Sequence, residues 1–337
     1  MEERERSIAR IRAILEQAGF VVSDAHGIRP TSFDIMARRD SNLVILKVLK
    51  NVDALAPEEA GRLRALGDLF RATSLIVGQT SGSNELEGGV VYTRYGIPIL
   101  TEEALSEYLL RGVPAFLVSS PGGIFARIDG PRLRELREER RLSLGALASI
   151  AGVSRRTIQL YEEGGGAEVS VVERIEHHLQ ETIVLPFELF SARPAREPRR
   201  SEGTPAAPEP SGAPGSRGAP PRTGDLLRDD VFRQLDTLGF QVEITVRCPF
   251  DAFTHAEEAV GEEEILLTSV GSMRTAAHRA EVLQALARVL EGHSMFVTRD
   301  STTRESIDGL PILTIRELQR HRDRDELVDL LSEREGQ

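Results

Sequence analysis

Residues 144–163 read LGALASIAGVSRRTIQLYEE. Leu147, Ala148, Ile150, Val153, Ile158 and Tyr161 fall where two short helices meeting at a steep angle need apolar contacts. Ala148 is small and lets the helices approach closely. Gly152 supplies the permissive backbone of the turn between them. Ser143 and Ser154 stand where each helix needs an N-cap, since a serine hydroxyl accepts a hydrogen bond from an unpaired first-turn amide. The stretch therefore predicts two helices joined by a tight turn, the second running from 154 to 162.

Outward from this core, residues 130–190 show no strand pattern and read as a string of short helices, beginning with RLRELREERRLS. Gly164-Gly165-Gly166 reads as a flexible connector. On either side the chain changes character and repeats itself. IARIRAILEQAGFVV has apolar residues at Ile8, Ile11, Ile14, Leu15 and Ala18, a helical face, followed by Gly-Phe and a strand. LLRDDVFRQLDTLGFQV does the same with Val231, Leu235 and Leu238 before Gly239-Phe240. Next come TSFDIM and CPFDAF, then the strands VILKVLKN and ILLTSVGS. A helix rich in Leu, Ala and Arg and a further strand, SLIVG or SMFVT, complete each copy. The copies close on GIPILTEEAL (96–105) and GLPILTIREL (309–318), where Thr314 with Glu317 forms a plausible capping box. Two unrelated α/β stretches that happen to align are the alternative to a duplication.

Residues 192–222 contain eight prolines and four glycines and almost nothing that builds a core, which predicts a disordered linker. The length of 337 residues suits two or three domains. One cysteine, Cys248, excludes a disulfide framework and a Cys-based zinc site, and suits a reducing cytoplasm. No apolar run reaches membrane-spanning length and no signal peptide is present. The net charge of −11 argues against indiscriminate coating of nucleic acid, but leaves room for a local basic surface. All basic residues are arginine except Lys47 and Lys50. Residues 130–163 hold seven of those arginines.

The stretch from 130 to 190, with Ser-x-x-Thr-Ile-x-x-Tyr-Glu in its third helix, resembles the Cro/CI (XRE-like) DNA-binding domain over its whole length. That resemblance implies that the second helix of the pair lies in the major groove. Ser154, Arg155, Arg156 and Gln159 would then face base edges, arginine suiting guanine and glutamine suiting adenine. Arg132, Arg134, Arg140 and Arg141 are the corresponding phosphate candidates.

The flanking α-β-β-β-α-β units, with Asp34 on the second strand and Lys47 on the third, resemble the restriction-endonuclease-like or resolvase-like fold. Active members of that fold hold a divalent metal with an aspartate and an acid two residues before the lysine. Here that position is Ile45, and isoleucine is no ligand. Glu16 or Asp40 would have to substitute. The second copy keeps Asp251 but has Leu266 and Thr268 where the acid and the lysine would be. Asp34 and Lys47 thus read as a degenerate remnant. Cys248, Asp251 and His255 are scattered ligand types that read as a polar loop. Along nearly its whole length outside the linker, the chain resembles an archaeal family of HTH-type transcriptional regulators.

The expected architecture is α/β plus all-α: two duplicated restriction-endonuclease-like domains, 1–120 and 223–330, flanking a Cro/CI-type five-helix DNA-binding domain, 128–190. The expected activity is sequence-specific recognition of double-stranded DNA by a cytoplasmic regulator, a homodimer with catalytically silent α/β domains. No cofactor, metal, small molecule or membrane is expected as a partner. The alternatives are a metal-dependent nuclease targeted by the helix-turn-helix, and a non-catalytic, antitoxin-like or scaffold protein.

Overall fold

The computed structural model describes residues 2–24, 31–120, 123–190, 223–257 and 263–335; the expected linker lies outside them. In chain order the elements are α1 (Glu2–Gln17), β1 (Val21–Asp24), β2 (Ile35–Arg39), β3 (Asn42–Asn51), α2 (Pro57–Leu69), β4 (Thr73–Ser81), β5 (Asn84–Glu85), β6 (Val90–Arg94), β7 (Ile97–Leu100) and α3 (Glu102–Arg111). Then follow β8 (Leu117–Ser120), β9 (Gly123–Arg127), α4 (Gly130–Glu139), α5 (Leu144–Ala151), α6 (Arg155–Glu162), β10 (Gly166–Glu168) and α7 (Val169–Leu179). The last stretch holds α8 (Leu226–Thr237), β11 (Gln241–Ile244), β12 (Ala252–Glu257), β13 (Glu263–Val270), α9 (Met273–Leu290), β14 (His293–Thr298), β15 (Ser306–Ile307), β16 (Leu310–Thr314), α10 (Ile315–Leu318) and α11 (Arg324–Glu335).

The chain divides into two compact units, Met1–Phe20 with Arg39–Phe190, and Val21–Arg38 with Ser191–Gln337. In the first, β3, β4 and β7 run parallel and β6 returns antiparallel to β7. β3 is an almost continuous apolar run from Leu43 to Val48, as a strand covered on both faces requires. Thr101 starts α3 by accepting a hydrogen bond from the Ala104 amide at 3.1 Å, and Gly112 ends it in the left-handed region at φ 66.

The same sheet continues into the helical region. β8 adds parallel to β6, β9 antiparallel to β8, and β10 antiparallel to β9, pairing Gly166 with Arg127. This corrects the expectation of a strand-free segment. The three glycines are not a loose connector either. Gly164 turns the chain at φ +90, the Gly165 amide donates to the Leu160 carbonyl at 2.9 Å, and Gly166 enters the strand. A Cβ on Gly165 would lie 2.8 Å from that carbonyl oxygen, so the turn is too tight for a side chain. Four helices, not five, lie between 128 and 190. After α7 the chain runs extended, with Val184 bridged to Ile128.

In the second unit the sheet order is β11-β12-β13-β14-β16-β15, with β13, β14 and β16 parallel and the flanking pairs antiparallel. Its core gathers Val231, Phe232, Leu235 and Phe240 from the α8–β11 stretch with Leu327 and Leu331 from α11. The Thr314–Glu317 capping box is formed. The hairpin β1–β2 belongs to this unit, where the Ser32 amide donates to the Arg247 carbonyl at 2.8 Å and Arg38 pairs with Glu291 at 2.6 Å. Among the described residues no helix is long and apolar enough to cross a membrane.

Candidate nucleic-acid interface

The helix-turn-helix is assembled from local signals. The Ser143 hydroxyl accepts from the Ala146 amide and the Ser154 hydroxyl from the Thr157 amide, each at 3.1 Å. Gly152 turns the chain at φ 70, between the helices. Leu147, Ala148, Ala151, Ile158 and Tyr161 are buried, and share a core with Ala126 of β9 and Ala167 of β10. Burial raises the Tyr161 phenol pKa, which keeps it a neutral hydroxyl. Ile150 and Val153 are only half-buried.

Two long-range contacts hold α6 in place, and the sequence pattern does not announce them. Arg137 of α4 grips Glu162 with Nε–Oε1 at 2.5 Å and Nη2–Oε2 at 3.1 Å, and donates to the Leu142 carbonyl at 3.2 Å. Both side chains are only 11% exposed. The hydrogen bonds that Arg137 donates to Glu162 raise the guanidinium pKa further, so this is a permanent charge pair. Close by, a Cβ on Gly130 would lie 2.5 Å from the Glu162 carbonyl oxygen, so α4 can meet the end of α6 only through a glycine. Arg174 of α7 donates to the Ala151 carbonyl at 2.9 Å, closing the end of α5. A pattern search for periodic apolar residues passes over both arginines, because each sits among charged neighbours on its own helix.

With Ile158 and Tyr161 turned inward, Ser154, Arg155, Arg156 and Gln159 are exposed. Among the described residues, the side chains of Arg155, Arg156 and Gln159 have no hydrogen-bonded or ionic partner. The Arg155 guanidinium lies over Gly145 of α5: a Cβ there would stand 2.7 Å from Nε and 3.0 Å from Nη2. The phosphate candidates are placed differently. Arg132 pairs with Glu135 at 2.7 Å, and that hydrogen bond raises its pKa; Glu181 lies farther off at 3.8 Å. Arg134 pairs with Glu138 at 3.1 Å. Arg140 donates to the His178 carbonyl at 3.4 Å and closely to the Leu179 carbonyl, so it closes the last turn of α7. Arg141 is exposed at φ 56.

At the metal position of the nuclease-like fold one carboxylate, Asp34, and an isoleucine, Ile45, stand where the resemblance calls for two acids. Asp34, just ahead of β2 rather than within it, is buried in the second unit. On β3 of the first unit, Lys47 is buried and Ile45 is fully buried. A hydrocarbon side chain at the second ligand position does not fit a magnesium ion, which takes oxygen ligands. Lys50, at the strand end, pairs with Glu3 at 2.7 Å on the surface. Of the substitutes, Glu16 pairs with Arg12 at 2.9 Å and Asp40 stands exposed in the turn after β2 at φ 53.

In the second unit Asp251 is taken up by two arginines, an amide and a hydroxyl. Arg228 Nη2 lies 2.9 Å from Oδ1, Arg279 Nη1 3.2 Å from Oδ2, and the Val270 amide and Ser269 hydroxyl donate to Oδ2 at 2.8 and 3.2 Å. Thr268 is fully buried where the lysine would be. Burial pushes the Cys248 thiol up to about 12, and His255 stacks on Phe253 at 5.5 Å. Among the described residues, no three His, Cys, Asp or Glu side chains form a group that holds a metal ion.

Comparison with known proteins gives two family matches, a PD-(D/E)XK superfamily domain over residues 4–115 and a helix-turn-helix domain over 130–182. A protein of Natronomonas pharaonis named "Putative HTH-type transcriptional regulatory protein" is 36% identical over 331 residues, 98% of each chain. Relatives of the same description occur in Halorubrum lacusprofundi, 35% identical over 97% of this chain and 96% of its own, and in Thermoplasma acidophilum, 31% identical over 99% of each. No solved structure matches the chain.

Proposed function

Because this chain belongs to the archaeal family of HTH-type transcriptional regulatory proteins, we propose that it is a sequence-specific DNA-binding regulator. α6 enters the major groove, with Ser154, Arg155, Arg156 and Gln159 toward base edges. The observation that carries this reading is the contrast along the helices. The arginines of α4 are engaged by carboxylates, whereas those of α6 face solvent without a partner, on a helix fixed from behind by Arg137–Glu162. Unpaired, exposed guanidiniums on a rigid support are what base and phosphate contacts require. Arg132, Arg134 and Arg141 supply phosphate contacts at the flank, whereas Arg140 is held against the end of α7 by the His178 and Leu179 carbonyls. Surface pairs such as Arg134–Glu138 contribute little and yield readily to a phosphate.

The two α/β regions, 1–120 and 223–330, are duplicated copies of one nuclease-like unit that has lost its chemistry. The matching strand directions support the duplication, and Ile45 and the arginine-bound Asp251 support the loss. Their remaining role is dimerisation, extra DNA-backbone contact or partner binding; such reading heads work in pairs on half-sites about 34 Å apart. Between the copies stand the reading domain, 128–190, and the linker, 192–222.

The test is selection of genomic fragments by the full-length protein, with binding followed against salt and magnesium. The expected result is a short recurrent motif, lost in a triple alanine variant at Arg155, Arg156 and Gln159, and uncut in magnesium. Salt-sensitive binding without a motif would refute sequence reading. Magnesium-dependent cutting lost in Lys47→Ala would establish the nuclease instead. A monomeric native mass on and off DNA would remove the dimer.

A further inference from the structure

The outward strip of α6 holds one residue that no polar recognition scheme uses. Between residues 123 and 190, all of them described, Leu160 is the one large apolar side chain that is exposed, at 44%. It lies one turn beyond Arg156 on the same strip, next to Gln159, and faces away from Ile158 and Tyr161. Its backbone is fixed: the Leu160 carbonyl accepts from the Gly165 amide at 2.9 Å, in the turn that ends the helix. The side chain is thus held at a set position within the unpaired cationic face.

Resting on the reading of α6 as the major-groove helix, we propose that Leu160 is a specificity residue that reads a thymine through its 5-methyl group. A leucine has no hydrogen bond to offer, so it discriminates only by apolar contact. In the major groove the thymine methyl is the one apolar group that projects from the four bases; cytosine has only a C5–H there, and the hydrogen-bonding positions are donors or acceptors. Pressed against any of those polar edges, Leu160 would take water from a group without replacing its hydrogen bond. The two arginines that precede it on the helix, Arg155 and Arg156, suit DNA and oppose a second copy of the same cationic face. α6 therefore combines polar reading at its first turn with a methyl contact at its second.

The experiment uses the full-length protein and the duplex recovered by selection, with each thymine replaced in turn by deoxyuridine, which lacks only the methyl. The wild type should lose roughly fourfold in affinity at one thymine of each half-site, the worth of about one buried carbon at ~0.8 kcal/mol. Leu160→Ala should bind more weakly and show no loss at that position. Leu160→Met should restore the loss, because it refills the contact. A wild type indifferent to deoxyuridine at every position would overturn the inference. So would an unchanged deoxyuridine profile in Leu160→Ala, or a change in its native mass with DNA reading intact, which would assign Leu160 to a protein contact. Failure to recover any motif is a different result, and refutes the DNA reading on which this inference stands.

Discussion

Replacing Glu162 is the sharpest probe of how this reading head is built. Arg137 is 11% exposed and makes four hydrogen bonds, two of them to Glu162, one to the Leu142 carbonyl and a long one to Glu138 at 3.5 Å. Glu162→Ala leaves a largely buried guanidinium with the Leu142 carbonyl and only the long, exposed contact to Glu138 at 3.5 Å. Removing one partner of such a pair costs about 3 kcal/mol, most of it the desolvation of the orphaned charge. For a unit of this size, each kcal/mol moves the melting point by about 2–4 °C, so the first unit should melt roughly 6–12 °C lower. The double variant Arg137→Met/Glu162→Leu removes both charges and refills the space. It should recover at least half of the loss, because an apolar replacement carries no orphaned charge. Thermal unfolding of wild type, Arg137→Met, Glu162→Leu and the double variant, with hydrogen exchange of the α6 amides, gives the coupling. A Glu162→Ala variant within about 0.5 kcal/mol of wild type would refute the argument, as would strict additivity of the single losses. DNA affinity should follow the exchange data, since α6 is fixed at this end by the pair.

Gly145→Ala should act in opposite directions on stability and on binding. Alanine favours a helix interior by about 1 kcal/mol, but its Cβ would stand 2.7 Å from Arg155 Nε, so the unit gains stability or holds it while site-specific affinity falls; unchanged affinity by titration would show that Arg155 needs no such rest. His293 hydrogen-bonds to Glu335 at 3.0 Å, which raises its pKa. The stabilisation of the second unit by this pair should be complete below the unfolded histidine value of about 6.5 and disappear as pH rises through the folded value. Denaturant titrations of wild type and His293→Gln should therefore diverge at pH 6 and converge toward pH 9, and a constant gap would contradict the linkage. Cys248, with its thiol pushed up to about 12, should resist a disulfide reagent at pH 8 until denaturant is added; stoichiometric labelling of the folded protein would show that its site opens.

Much of the reading head was legible in order along the chain. Ser143 and Ser154 cap the amides of their own first turns, Gly152 takes the left-handed turn at its own position, and Ile158 and Tyr161 share a face by helical period. These effects reach no farther than about one helical turn, so residue type and spacing determine them. The repeated words of the two α/β regions likewise announced helices, strands and the Thr314–Glu317 cap, and the bare Ile45 already argued against a metal. What the tertiary structure decided involves partners distant in sequence. Arg140 reads as one more surface cation, yet it closes α7 from 39 residues away. Glu162 looks like the polar end of an exposed helix, yet it is buried against Arg137. Gly166 looks like slack, yet it pairs with Arg127 to join the helices to the sheet. Asp251 keeps the look of a metal ligand, and only the approach of Arg228 and Arg279 from two different helices fills its coordination with guanidinium. A carboxylate or guanidinium has the same chemistry wherever it stands in a sequence; which opposite charge, carbonyl or solvent it meets is determined by packing over tens of residues, and that packing divides structural arginines from those left free to bind.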